Sequence, residues 1–146
     1  MVEIREAVPN DAEAISELND LQMGYKTSAK DTYERLNNIL ASEGNKIFVA
    51  IIEEKVVGYV HANDYDLIYF PHMKNIMGIA VNHKFKHQGI GRSLMNAVEE
   101  WARSTNAVGI RLVSGETRTG AHEFYRHCGF SGDKKQINFI KTLNYR

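Results

Sequence analysis

A single cysteine, Cys128, among 146 residues excludes any internal disulfide and any multi-cysteine metal site, and makes a reducing cytoplasm the expected compartment. Proline is nearly absent, with two in the chain, and the eleven glycines are scattered. No linker or boundary is marked, so one domain over residues 1–146 is expected. Neither sign of charge is in excess: 18 basic side chains face 18 acidic ones, and the pI is near 7.0. A basic nucleic-acid footprint is therefore missing. No apolar run approaches the roughly 20 residues of a membrane-spanning helix, and Met1-Val2-Glu3-Ile4-Arg5 does not read as a signal peptide. No spacing among the six histidines makes a metal site. Nucleic acid, membrane and metal are accordingly not expected as partners. What is left, 43% hydrophobic and 25% charged, is ordinary globular composition.

The patterning alternates strands and helices. Residues 2–7 alternate apolar and charged, as in a strand with one wet face. Asn10 or Asp11 can cap a helix carrying Ala14, Ile15, Leu18 and Leu21, which Gly24 suits as an end. Ser28 or Asp31 starts a second helix that stops before Gly44-Asn45. Residues 47–52 and 56–62 read as two strands about a polar break. Residues 63–74 read as a long aromatic loop, and loops of that length in a compact domain are more often functional than filler. A strand over 76–81 contains Gly78, which suggests a bulge. A helix with Leu94, Val98 and Trp101 on one face follows, then a strand at 110–113, a short helix over 120–127, and an alternating final strand over 136–143. This order predicts a mixed sheet with helices on both faces.

Between the strand at 76–81 and its helix lies Lys86-His87-Gln88-Gly89-Ile90-Gly91-Arg92-Ser93-Leu94. Leu94 removes the third glycine of a dinucleotide fingerprint, and no nucleoside-triphosphate loop occurs. Strand, glycine turn and helix start present free amides at the positive end of a helix dipole, which binds anions. Lys86, His87 and Arg92 oppose that dipole unless an anion arrives, and Ser93 adds a hydroxyl.

A second stretch reads Ala121-His122-Glu123-Phe124-Tyr125-Arg126-His127-Cys128-Gly129-Phe130. Together with residues 86–92 it resembles the GCN5-related N-acetyltransferase (GNAT) family, whose motifs take the forms [QR]-x-x-G-x-[GA] and A-x-x-F-Y-x-x-x-G-[FY]. Lys86 departs from the usual Arg or Gln but can still donate to phosphate as a point charge. The strand at 110–113, Ser114-Gly115-Glu116 and Arg118-Thr119-Gly120-Ala121-His122 resemble the bacterial, aminoglycoside-type branch of small-molecule acetyltransferases.

The resemblance implies an α/β fold (α+β in some schemes), with a mixed, mostly antiparallel sheet and a splayed strand pair at the cofactor site. It implies acetyl-CoA as donor, an amine as acceptor, and direct transfer in a ternary complex. The backbone of Ile79, Ala80 and Val81 would pair with the pantetheine arm. Amides from Gln88 to Ser93, including Gly89, Ile90, Gly91 and Arg92, would hold the pyrophosphate beside Lys86 and His87, with Ala121 and Tyr125 also at the cofactor. An amide near Gly78 or Ile79 would stabilise the oxyanion, and Tyr125 would protonate the departing thiolate. Cys128 receives no role.

Many family members carry an acidic base on the strand before the turn; here Asn75-Ile76-Met77-Gly78-Ile79 has no carboxylate. His61 and Glu116 are the candidate bases, with Asp64 a further alternative. Tyr25, Asp64, Tyr65 and Tyr69 are the candidate acceptor contacts. Family members often dimerise, so a homodimer is a further expectation. Two rival readings stand beside the enzyme: a non-catalytic acyl-CoA sensor, and an interaction module built on aromatic loops.

Overall fold

A pair of long antiparallel strands forms the middle of the sheet. The computed structural model describes residues 1–132 and 134–144, and the backbone divides into two compact units, residues 1–113 and residues 114–146. In the first unit β1 (Glu3–Glu6) leads through a 3-10 turn into α1 (Ala12–Met23) and α2 (Ala29–Ala41). Then come β2 (Asn45–Ile52), β3 (Lys55–Leu67), β4 (Phe70–Val81), α3 (Ile90–Ser104) and β5 (Ile110–Arg111). The sheet runs β1-β2-β3-β4-β5; the first three pairings are antiparallel and β4 with β5 is parallel.

Alternation along the strands sorts side chains onto two faces. One face carries Ile47, Val49, Tyr59 and Ala80 against Ile15 and Leu18 of α1 and Leu36 of α2. The other meets α3, whose Ile90, Leu94, Met95, Val98 and Ala102 are buried. Gly58 lies beneath α3, where an added Cβ would stand 3.4 Å from Ile90 and Leu94 and 3.1 Å from the Ala80 carbonyl. The expected mixed, mostly antiparallel sheet with helices on both faces is the one that forms.

Several local signals act as their chemistry dictates. Gly24 closes α1 in the left-handed region (φ 74°), and Ser28 Oγ caps α2 by accepting the Asp31 amide at 3.0 Å. Asp11 instead receives a two-pronged bond from Arg5 (2.8 and 2.9 Å) and the Val8 amide (2.8 Å). Burial pushes the Asp11 carboxyl up, but these donors outweigh it and leave it below the ordinary range.

Two expectations need correction. Residues 63–74 are no loop: β3 runs to Leu67 and β4 starts at Phe70, with a tight turn between. Polar residues occupy both faces of this hairpin arm, so it lacks the apolar alternation that marks a strand. Residues 136–143 form no strand, and Ile137, Phe139, Ile140 and Leu143 are all exposed. The described residues of the second unit contain no strand for that alternating segment to pair with; their regular element is α4 (Thr119–His127). Among the described residues no helix is long and apolar enough to cross a membrane.

Candidate active site

The site begins where the sheet comes apart. β4 and β5 share two register pairs, Lys74 with Ile110 and Asn75 with Arg111. Beyond Asn75, β4 continues to Val81 while β5 ends, so the β5-facing side of Ile76 to Val81 has no strand partner among the described residues. The other side of β4 is tied to β3, with one interruption: His61 pairs with Gly78 and Ala62 with Ile76. Met77 is the extra residue, and the bulge stands beside the predicted glycine.

After β4 a short 3-10 turn leads to Gly89, which sits in the left-handed region (φ 76°) at the head of α3 and has no side-chain cap. His87 is also left-handed (φ 65°). Ser93 is the first residue whose amide reaches back to Gly89, at 3.0 Å. The helix therefore starts at Ile90, with uncapped amides at its positive end and Lys86, His87 and Gln88 exposed beside it.

On the α1 side of the bulge, Gly78 leaves open space: an added Cβ would approach only the Tyr59 hydroxyl, at 3.7 Å. That hydroxyl donates to Asn19 Oδ1 of α1. Burial raises the Tyr59 phenol above its ordinary pKa, against the Asn19 bond. His61, the β3 partner of Gly78, is held by a directed chain. Ser42 Oγ donates to the Glu43 carbonyl (3.4 Å) and receives Asn45 Nδ2 (3.3 Å). This turns Asn45 Oδ1 toward His61 Nε2, 2.9 Å away. Nε2 must therefore carry the proton, and Nδ1 keeps its lone pair. Burial lowers the His61 pKa, so the neutral ring is favoured.

The other sequence-predicted residues scatter. Asp64 lies on the opposite face, ion-paired with Lys74, which is 1% exposed and stands 3.7 Å over the Trp101 ring. Tyr69 is exposed at the hairpin tip and Tyr25 in the segment after α1. Tyr65 lies on the His61 face, under the Arg111 guanidinium at 4.3 Å. Asn45, Asn63, Asn75, Arg111 and Tyr59 were not predicted; each is unremarkable until strand register brings it beside the others.

In the second unit Tyr125 is flanked by Phe124 and Phe130, ring centres 5.6 and 6.0 Å away. Burial raises its phenol above the ordinary pKa, partly opposed by Arg118. A protonated phenol is the form that can give up a proton. His122 Nε2 lies 2.9 Å from the Gly115 carbonyl, and Glu116 pairs with Lys135 at 2.8 Å on the surface.

Comparison with known proteins agrees with this architecture. An aminoglycoside N(6')-acetyltransferase type 1 from Stenotrophomonas maltophilia is 28% identical, covering 96% of this chain and 93% of its own. A streptothricin acetyltransferase from Escherichia coli is 28% identical over 62% of this chain and 50% of its own length. The fold matches that of the aminoglycoside acetyltransferase AAC(6')-Iy, solved with a CoA bisubstrate analogue, at a TM-score of 0.85 and 17% identity, covering 98% and 99% of the two chains. The Acetyltransferase (GNAT) family pattern matches residues 12–130, and the chain belongs to that family.

Proposed function

We propose that the protein moves the acetyl group of acetyl-CoA to the primary amine of a small molecule, by direct attack in a ternary complex in the cytoplasm. The observation that carries this reading is the release of β4 by β5 after Asn75, followed directly by the uncapped start of α3. An extended amide-bearing arm fits the free edge at Ile79, Ala80 and Val81. A pyrophosphate fits the amides from Gln88 to Arg92, the Ser93 amide being already bonded to the Gly89 carbonyl. The relatives named above acetylate small molecules.

The acceptor amine needs a lone pair before it can attack. His61 is the base, its Nδ1 lone pair directed by Asn45 and its ring beside the space over Gly78. As nitrogen bonds to the thioester carbon, charge collects on the carbonyl oxygen, which a β4 amide at Gly78 or Ile79 stabilises. The amine proton passes to His61, the carbon–sulfur bond breaks, and Tyr125, assigned from the family resemblance, protonates the thiolate. Glu116, tied to Lys135, is the weaker base candidate.

Thiol release over a panel of amines tests this, with acetyl-CoA affinity measured by calorimetry. Tyr125→Phe is expected to lower kcat by about 10²–10⁴-fold while leaving CoA affinity intact. The absence of a carboxylate over residues 75–79 favours one alternative, an acyl-CoA sensor. Wild-type protein that binds acetyl-CoA but acetylates no amine would establish the sensor instead.

A further inference from the structure

The register lines up one polar row across four strands. Asn45 of β2 pairs with Asn63 of β3, Asn63 with Asn75 of β4, and Asn75 with Arg111 of β5. Directly opposed residues share a face of a sheet, and side-chain bonds link the row. Arg111 Nη1 donates to Asn75 Oδ1 at 2.6 Å, and Asn75 Nδ2 donates to Asn63 Oδ1 at 3.3 Å. Asn45 meets His61 in the next row, which runs Ile47, His61, Gly78. The row thus borders the space over Gly78 and ends at the mouth of the β4–β5 fork.

The charge along these two rows is one-sided. Neither row contains a carboxylate. The acidic residues of the hairpin, Asp64 and Asp66, occupy the alternate positions and so the opposite face, where Asp64 pairs with Lys74 and Asp66 lies 2.7 Å from His72 Nδ1. Arg111 has only Asn75 and the Tyr65 ring as partners among the described residues, with no carboxylate. A part-buried guanidinium spends one N–H on Asn75 and keeps a planar fork of donors suited to an oxyanion. The Tyr65 ring and the Asn75 amide hold that fork in place. A polycationic amine would meet a fixed positive charge here, with no carboxylate paired to it among the described residues.

We infer that the Arg111 end of this row is a subsite for a carboxylate, so that the acceptor is an amine that also bears an acid group, in contrast to a polycation. The amine would lie over Gly78 beside His61, and the acid group at the guanidinium, with the asparagine amides between them taking up polar groups of the acceptor backbone.

The inference rests on the acetyl-transfer reading, and its test separates the two. Three five-carbon primary amines serve as acceptors: 5-aminopentanoate, 5-amino-1-pentanol and 1,5-diaminopentane. Wild-type kcat/KM is expected to be at least about tenfold higher for the acid than for the diamine, the discrimination worth one charge-assisted bond. Arg111→Ala should lower the acid-to-alcohol ratio about tenfold, chiefly through KM, and Arg111→Lys should restore part of it. A wild-type preference for the diamine, or a ratio indifferent to Arg111→Ala, overturns the subsite while leaving acetyl transfer in place. Absence of transfer to every amine overturns the transfer reading. Calorimetry with 5-acetamidopentanoate on the CoA-loaded protein then decides the subsite by itself. Binding that Arg111→Ala abolishes supports it; no binding, or binding that survives the substitution, overturns it. Thermal midpoints of both variants show whether the fold is kept.

Discussion

Removing the Asp64 side chain should cost more stability than removing the far more buried Lys74. The Lys74 side chain is 1% exposed, its ammonium lodged over Trp101 at 3.7 Å and against the Asp64 carboxylate, which is itself 36% exposed. Asp64→Ala leaves the Lys74 ammonium without its carboxylate, and leaving one buried charge without its partner costs about 3–5 kcal/mol. The Trp101 face stays as a partial partner, which places the expectation near the low end, at about 3 kcal/mol. Lys74→Met behaves differently. The thioether fills the lysine stem's space against Trp101, and Asp64 turns to solvent with His72 3.8 Å away, so only about 1 kcal/mol is lost. Urea unfolding followed by tryptophan fluorescence reads both. With an m value of about 2 kcal/mol/M, the midpoints should fall by about 1.5 M and 0.5 M respectively. Equal shifts, or a larger loss for Lys74→Met, would refute the claim that the cost lies in the stranded ammonium.

Further outcomes follow from other features. His61 is held neutral by burial, so its folded pKa lies below its unfolded one. The unfolded chain then binds more protons across the window between the two values, stability falls as pH drops through it, and His61→Phe should remove that part of the acid sensitivity in pH-dependent urea titrations. Asn45→Leu removes the acceptor that fixes the His61 tautomer, and should lower kcat by about tenfold or more while moving the acid limb of the pH–rate profile; an unmoved limb would deny Asn45 a positioning role. Gly89→Ala meets nothing within 4 Å but must adopt φ 76°, so about 1 kcal/mol of stability should be lost together with measurable acetyl-CoA affinity by calorimetry. Glu53 and Glu54 turn the β2–β3 hairpin at φ 49° and 67° without a glycine, and replacing them by Asn-Gly should raise the thermal midpoint, worth roughly 1 kcal/mol.

Glycine-coded features were legible in the sequence because a missing Cβ acts on its own backbone. Gly24 and Gly89 announced a helix end and a turn and stand there in the left-handed region, and the bulge suggested by Gly78 falls beside it at Met77. The amphipathic run of α3 was equally local. The hairpin over residues 63–74 was not, since Asp64, Asp66 and Lys74 put charge where a strand signal needs apolar residues. The row from Asn45 to Arg111 was invisible for another reason. Its members lie 12 to 36 positions apart between neighbours, and only pairing register brings them together. His61 could be suspected from its strand end, but its tautomer depends on Ser42 and Asn45, whose orientation no periodicity records.

Met77 divides β4 into two half-strands of opposite phase. Before it, even-numbered Lys74 and Ile76 face α3; after it, even-numbered Gly78 and Ala80 face α1. Deleting that one residue would slide the outer half by a single step and exchange Lys74 with Asn75 between the faces, setting an ammonium in the polar row and an amide under Trp101. The inner half, held to β3 through its own pairs from Gly78 to Val81, would keep its alignment. A Met77 deletion that lost the acceptor yet still bound acetyl-CoA would display this independence. A single-codon insertion or deletion there can thus rewrite what the outer half recognises while the donor strand is inherited unchanged, which gives a fold of this kind an inexpensive route to new acceptors.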